Sequence, residues 1–250
     1  MECTKCQGRG LIIRDGTAYP CPCVRESIVA AKIRVSGLPE IMLECKFKAF
    51  NLKFYSRSVI DQVTKNNYYD SARLALKDAG DFVKSFVKNA RATESLLFSG
   101  PVGSGKTFLA CCIANELLEE GVSVNFVVVP DLLDRIRSTY DQNKPQWYES
   151  EQGMLDAARE TPLLILDDLG AHNYTEWTRN KLYSIINYRL NYFLPTVITT
   201  NLSLQRLNEY LGERTVSRII HMCRMHRLMV DQDIRVKKKK LQGSTAGEWQ

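Results

Sequence analysis

The sequence predicts an α/β protein whose core is a parallel sheet covered by helices, with a small cysteine-bearing module ahead of it. Three observations carry this. Short apolar runs at "SLLFS" (95–99), "VNFVVV" (124–129), "LLILD" (163–167) and "TVITT" (196–200) alternate with helical stretches, the pattern of a parallel sheet. "GPVGSGKT" (100–107) directly follows the first of these runs and opens a helix. Four of the eight cysteines lie within residues 1–23.

Bulk properties set the limits. A chain of 250 residues, 44% apolar and 25% charged, can bury a core of ordinary size. No apolar run reaches the length of about 18 residues that a membrane helix needs. The N-terminus is polar and Cys-rich rather than an apolar signal segment, so a cytoplasmic protein without membrane contact is expected. Disulfides are then disfavoured, and paired cysteines point to metal or catalysis. The net charge of +6 permits a polyanionic partner without requiring one.

Residues 1–35 form the expected module. Cys3 and Cys6 make a C-x-x-C pair and Cys21 and Cys23 a C-x-C pair, with fourteen residues between them. Four thiolates and no open position describe a structural zinc site. Reduced unliganded thiols and disulfides are the alternatives. A module this small cannot bury a stable core, so the metal would supply its folding energy. "VRESIVAAKIRV" (24–35) reads as a helix stopped by "SGLPE". Residues 36–69 are expected to be a linker leading into the core, and 71–90 a helix at the start of a nucleotide-binding domain over 70–236. The longest helical stretch is 175–193, and the basic tail 237–250 lacks an apolar period and is expected to be loose.

The chemistry sits at the strand ends. "GPVGSGKT" fits G-x-x-x-x-G-K-[ST] with Gly100, Gly105, Lys106 and Thr107, and Gly103 and Ser104 complete the loop. Its backbone N–H groups and the following helix N-terminus attract phosphate. Lys106 faces the terminal phosphates and the Thr107 hydroxyl takes Mg²⁺. A Gly-rich turn without ligand is the alternative. Asp167 ends the acidic strand, where it can hold the Mg²⁺ shell. Asp168 is then placed to orient or deprotonate water. Two capping aspartates would be the plainer explanation. Asn201, after the next strand, could hold the attacking water. Arg214 and Arg218 lie four apart on one helical face and could stabilise a transferring phosphoryl group, or simply form a solvated face. Arg235 is a weaker candidate. Cys111 and Cys112 are expected to be small core residues, Cys45 and Cys223 have no partner spacing, and His172 reads as a loop residue.

In order, "GPVGSGKT", "VPDLLDRIRSTYD", "LLILDDLG", "TTNLS", "LGERTVSRI" and "DQDIR" resemble the DnaC/DnaI-type bacterial replicative helicase loaders, AAA+ ATPases whose core is shared by the transposition helper IstB. The resemblance covers roughly residues 70–236. It implies a five-stranded AAA+ sheet, ATP with Mg²⁺, and self-assembly into an open ring or spiral. It further implies Asn201 as sensor, Arg218 as a finger offered to a neighbour's ATP with Arg214 close by, and Arg235 as a second sensor. It places Arg135, Arg137 and Tyr140 against single-stranded DNA, with Leu132, Leu133 and Ile136 as a packing face. The Lys237–Lys240 run is more simply a solvated tail.

Two departures matter. The acidic pair is Asp-Asp where most AAA+ proteins have Asp-Glu, which favours the loaders and slow hydrolysis. Only fifteen residues follow Arg235, too few for a full helical lid domain, so a nucleotide-gated loader suits the chain better than a processive motor. The expected function is therefore an ATP-dependent loader that binds the hexameric replicative DNA helicase through its zinc module and delivers it onto single-stranded DNA. A DNA-transposition helper, or a zinc-dependent DNA-binding adaptor with a non-hydrolysing ATP switch, is the alternative.

Overall fold

The computed structural model describes residues 3–14, 16–139, 150–171 and 174–245, with side chains to residue 240. Chain order is β1 (Leu11–Arg14), β2 (Thr17–Pro20), α1 (Pro22–Val35), α2 (Tyr68–Asn89), β3 (Ser95–Ser99), α3 (Lys106–Glu119), β4 (Val124–Val128), α4 (Val129–Ser138), α5 (Glu151–Glu160), β5 (Leu163–Asp167), α6 (Glu176–Asn191), β6 (Thr196–Thr200), α7 (Leu204–Leu211), α8 (Glu213–Met222), β7 (Cys223–Arg227) and α9 (Ile234–Thr245). Strands β4-β5-β6-β3-β7 form one parallel sheet. The antiparallel hairpin β1–β2 stands apart from it.

Alternation along the strands builds two cores. Leu96, Phe98, Leu163, Ile165 and Val197 face one side, where α2 and α3 pack. Leu97, Leu164, Leu166 and Ile198 face the other, under α4 to α8. Because the central strands are covered on both faces, they read as continuous apolar runs. Helix starts are capped locally: Asn67 accepts from Asp70 N at 2.7 Å before α2, and Ser150 from Gly153 N at 3.0 Å before α5. Leu132, Leu133 and Ile136 are buried as the packing face of α4.

The fifth strand, β7, has no apolar run of its own. It is an edge strand, and its sequence "CRMHR" buries Cys223 and His226 while Arg224 is exposed. Arg224 pairs with Glu94 at 2.8 Å and Asp78 at 3.3 Å. Under the sheet, the fully buried Arg189 guanidinium donates to the carbonyls of Ala158, Arg159, Thr161 and Pro195 and to Thr196 Oγ1, at 2.6–3.2 Å. Burial lowers its pKa to about 9. It ties the end of α5 to α6 and β6.

Two expectations change. The segment after Arg235 was expected to be loose, but residues 234–245 form α9, which lies over the mouth of the phosphate loop. Lys237 Nζ donates to Phe54 O at 3.3 Å, and the Lys238 ammonium stands 6.0 Å from the Phe54 ring and 5.7 Å from the Phe108 ring. These contacts give the lysine run a surface to fold on. Residues 36–69, expected to be a linker, wrap the core through three short 3₁₀ turns (Glu40–Met42, Phe47–Ala49, Leu52–Phe54). Among the described residues, one helix follows β7, and no helix is long and apolar enough to cross a membrane.

Candidate nucleotide and metal sites

The carboxyl ends of β3, β5 and β6 meet at one cavity of about 700 Å³. Its floor is the loop between β3 and α3. Gly103 has φ +71°, and a side chain there would run into the Asp233 carboxylate. Gly105 has φ +91°, and a Cβ would stand 2.8 Å from Tyr55 Oη. Both positions therefore demand glycine. Tyr55 Oη in turn donates to Ser104 O at 2.7 Å, and Ile234 N to Gly103 O at 3.1 Å. The loop is thus held from both sides through its carbonyls.

Lys106 is almost fully buried at the N-terminus of α3. Its Nζ donates to Gly100 O at 2.9 Å, Pro101 O at 2.8 Å and Asn201 Oδ1 at 2.6 Å. Burial lowers its pKa to about 8, against the pull of Asp168 and Asp167. A desolvated ammonium of this kind gains from an anion. Asn201 Nδ2 donates onward to Asp168 Oδ1 at 2.7 Å. The amide is oriented by its neighbours, oxygen to the cation and nitrogen to the carboxylate. Asp168 adopts φ +60°, a strained position for a non-glycine residue, and its N–H donates to Thr199 Oγ1 at 3.0 Å.

Asp167 is buried, and its Oδ1 accepts from Thr107 Oγ1 at 2.8 Å and Thr199 Oγ1 at 2.6 Å. Burial raises its pKa, and the two hydroxyls oppose that shift. A buried carboxylate touching a hydroxyl at a helix N-terminus is a hard-oxygen donor pair. It fits Mg²⁺, whose charge would offset the burial.

Several cavity residues were not found from sequence. Met42, Cys45, Phe50, Phe54 and Tyr55 line its apolar end with Phe108 and Cys111. Phe50 stacks on Tyr55 at 5.5 Å between ring centres. The aromatic density of "FKAFNLKFY" (47–55) is the signal that could have marked them. Arg235 and Lys238 from α9 also line the cavity. Arg235 is anchored to Asp233 Oδ1 through its own N–H at 2.8 Å.

Arg214 and Arg218 do not line this cavity. Arg218 Nε donates to Asn187 Oδ1 at 2.7 Å, and its guanidinium lies 4.6 Å over the Tyr183 ring. Arg214 is exposed one turn earlier on α8. Arg135 and Arg137 are exposed on α4. Tyr140 and His172 lie outside the described residues.

In the N-terminal module, the sulfurs of Cys3, Cys6, Cys21 and Cys23 all lie within 4.8 Å of one another. Cys3 Sγ and Cys21 Sγ are 3.7 Å apart, and Cys6 Sγ and Cys23 Sγ 3.5 Å. Tetrahedral zinc bonds of about 2.3 Å put sulfurs about 3.8 Å apart, so the four could hold that ion. The backbone N–H groups of Cys6 and Lys5 lower the Cys3 thiol to about 7, favouring the ligand form.

An inner phosphate-loop strand, separated from its acidic strand by one intervening strand, is the arrangement of the AAA+ P-loop fold. Residues 80–243, well over half of the chain, match the family model of the IstB-like ATP binding protein, and the chain belongs to that family. It is 27% identical over 202 residues to the replicative helicase loader DnaC of Escherichia coli (strain K12), covering 78% of this chain and 80% of the relative. It is 31% identical over 143 residues to the replicative helicase loader DnaI of Bacillus subtilis (strain 168), covering 56% of this chain and 44% of the relative. A crystal structure of the DnaC helicase loader superposes with a TM-score of 0.59 at 28% identity, over 77% of this chain and all of that one.

Proposed function

We propose that the chain is an ATP-hydrolysing helicase loader, which captures a hexameric replicative DNA helicase and delivers it onto single-stranded DNA. The observation that carries the hydrolytic part is the Lys106–Asn201–Asp168 relay beside the Thr107–Asp167 pair. The loading part is supported by the curated relatives, named as replicative helicase loaders over most of the chain's length.

The residues divide the work. The loop N–H groups and the α3 N-terminus bind phosphate, and Lys106 turns from Asn201 and the loop carbonyls to the terminal phosphate oxygens. Thr107 and Asp167 would hold a magnesium ion, which would supply further positive charge there. Asn201 orients water, and Asp168 accepts its proton. Arg235 faces the same nucleotide from α9, while Arg218, outside its own cavity, serves a neighbour's in an open ring or spiral, with Arg214 beside it. Arg135 and Arg137 offer α4 to the DNA backbone.

Zinc on the four cysteines folds the module, and the module docks the helicase. The hairpin supports this: Leu11, Ile13 and Tyr19 are 52%, 74% and 51% exposed. A metal-supported hairpin with exposed apolar side chains is suited to a protein partner. The test of the hydrolytic part is Asp168→Asn. It should retain ATP binding and lose turnover by about a hundredfold or more in a phosphate-release assay. Unchanged turnover would remove Asp168 from the mechanism.

A further inference from the structure

The apolar end of the cavity carries a sulfur cluster that phosphate chemistry does not use. Met42, Cys45 and Cys111 line it together. Cys111 Sγ donates to Met42 Sδ at 3.3 Å. Met42 and Cys45 share one turn, closed by Cys45 N donating to Met42 O at 3.1 Å. Asn115, one helical turn beyond Cys111 and on the same face of α3, donates to Met42 O at 2.8 Å and to Cys45 O at 2.9 Å. The two cysteines, 66 positions apart in sequence, are thereby brought to one wall of the cavity on different elements. Cys45 is half-buried, while Cys111 exposes no surface.

We infer that Cys45 and Cys111 form an oxidisable thiol pair in the wall of the nucleotide cavity, open to small peroxides when the cavity is empty and shielded when nucleotide fills it. The inference rests on the cavity being the nucleotide site. The two thiols are unequal. The adjacent Cys111 thiol, opposed by burial and helped by the nearby Lys238 ammonium, lowers the Cys45 thiol. The neighbouring Cys45 thiol and burial raise Cys111. Cys45 is thus the attacking thiolate and Cys111 the resolving thiol. The Cys45 sulfur attacks a peroxide oxygen, the O–O bond breaks, and Cys45 becomes a sulfenic acid as one water leaves with the thiol proton. The Cys111 sulfur then attacks the Cys45 sulfur, the S–S bond forms, and the hydroxyl departs as a second water with the Cys111 proton. The pair loses two electrons and the peroxide gains them. The product would pin the 40–55 wall to α3.

The test treats the full zinc-loaded chain with hydrogen peroxide, with and without Mg-ATP, and maps cross-links by non-reducing peptide mass spectrometry. ATP binding is measured separately by titration on the same preparation. Without nucleotide, a Cys45–Cys111 linked peptide is expected. Cys45→Ser should abolish it, and Cys111→Ser should leave a sulfenic acid at Cys45 that dimedone traps. ATP at a hundred times its Kd should slow the linkage about a hundredfold, since only the empty cavity reacts. No linked peptide without nucleotide, or oxidation confined to the four N-terminal cysteines, overturns the inference. So does an unslowed rate under ATP that titration proves is bound. Failure of titration itself would instead strike the nucleotide assignment, and the peroxide arm would still decide the thiol pair.

Discussion

Asn201 connects the two charges of the proposed phosphate site, its oxygen on the Lys106 ammonium and its nitrogen on the Asp168 carboxylate. That contact gives Lys106 a measurable signature. Burial sets its pKa at about 8 without ligand, and a phosphate beside it raises that value. Since phosphate prefers the protonated lysine, affinity for Mg-ATP should be full below pH 8. It should fall as pH rises through 8, by up to about tenfold per unit, until the bound-state pKa is passed. Lys106→Arg keeps its charge over this range and should bind, if more weakly, without that slope. Calorimetric titration from pH 6.5 to 9.5 reads both, and a flat wild-type profile would contradict the assignment. Much of this site was legible in the sequence because phosphate loops encode their geometry locally: Gly103, Gly105, Lys106 and Thr107 fall within five consecutive residues, and Asp167 ends an apolar strand. Phe50, Tyr55 and Cys45 were not legible as cavity residues. They carry no periodic pattern, and their place depends on a wrapping segment that only tertiary contacts fix.

At the scale of elements, the same distinction holds. The three inner strands, β3, β5 and β6, were legible because both of their faces are buried, and the edge strand β4 because its residues still form an apolar run. The edge strand β7 was not, because its outward positions carry charge paired to α2 and to Glu94. Helix α9 was missed because its lysines gain their partners from Phe54 and Phe108, far off in sequence. The module is the element with a separable role. Helix α1 has no fully buried residue, and its links to the core include Arg25 to Glu119 O at 3.2 Å and to Glu120 at 3.5 Å, at the far end of α3 from the phosphate loop. Unfolding it should therefore spare the cavity. Cys3→Ser is expected to lose about one zinc per chain, read by metal analysis, and with it helicase capture, while ATP affinity stays within about twofold. Full-strength capture by the metal-free chain would remove the docking role, and filter binding would then ask whether the module contacts DNA.

For the whole molecule, the position of Arg218 outside its own cavity is the feature that bears on assembly. If it completes a neighbour's site, neither Arg218→Ala nor Lys106→Ala should turn over ATP alone. A mixture should recover part of the activity, because some interfaces then join an intact cavity to an intact arginine. Absence of recovery in mixtures that still co-assemble would make Arg218 a residue of its own fold, held by Asn187 and Tyr183. In the proposed function these parts act together to place a helicase on DNA. The most direct measurement of this is transfer of the purified hexameric replicative helicase, from the cell that makes this chain, onto closed circular single-stranded DNA that offers no end for threading. With the chain and ATP, helicase should be retained on the circles, and Lys106→Ala or Cys3→Ser should abolish that retention. Retention no greater than with helicase alone would contradict the account.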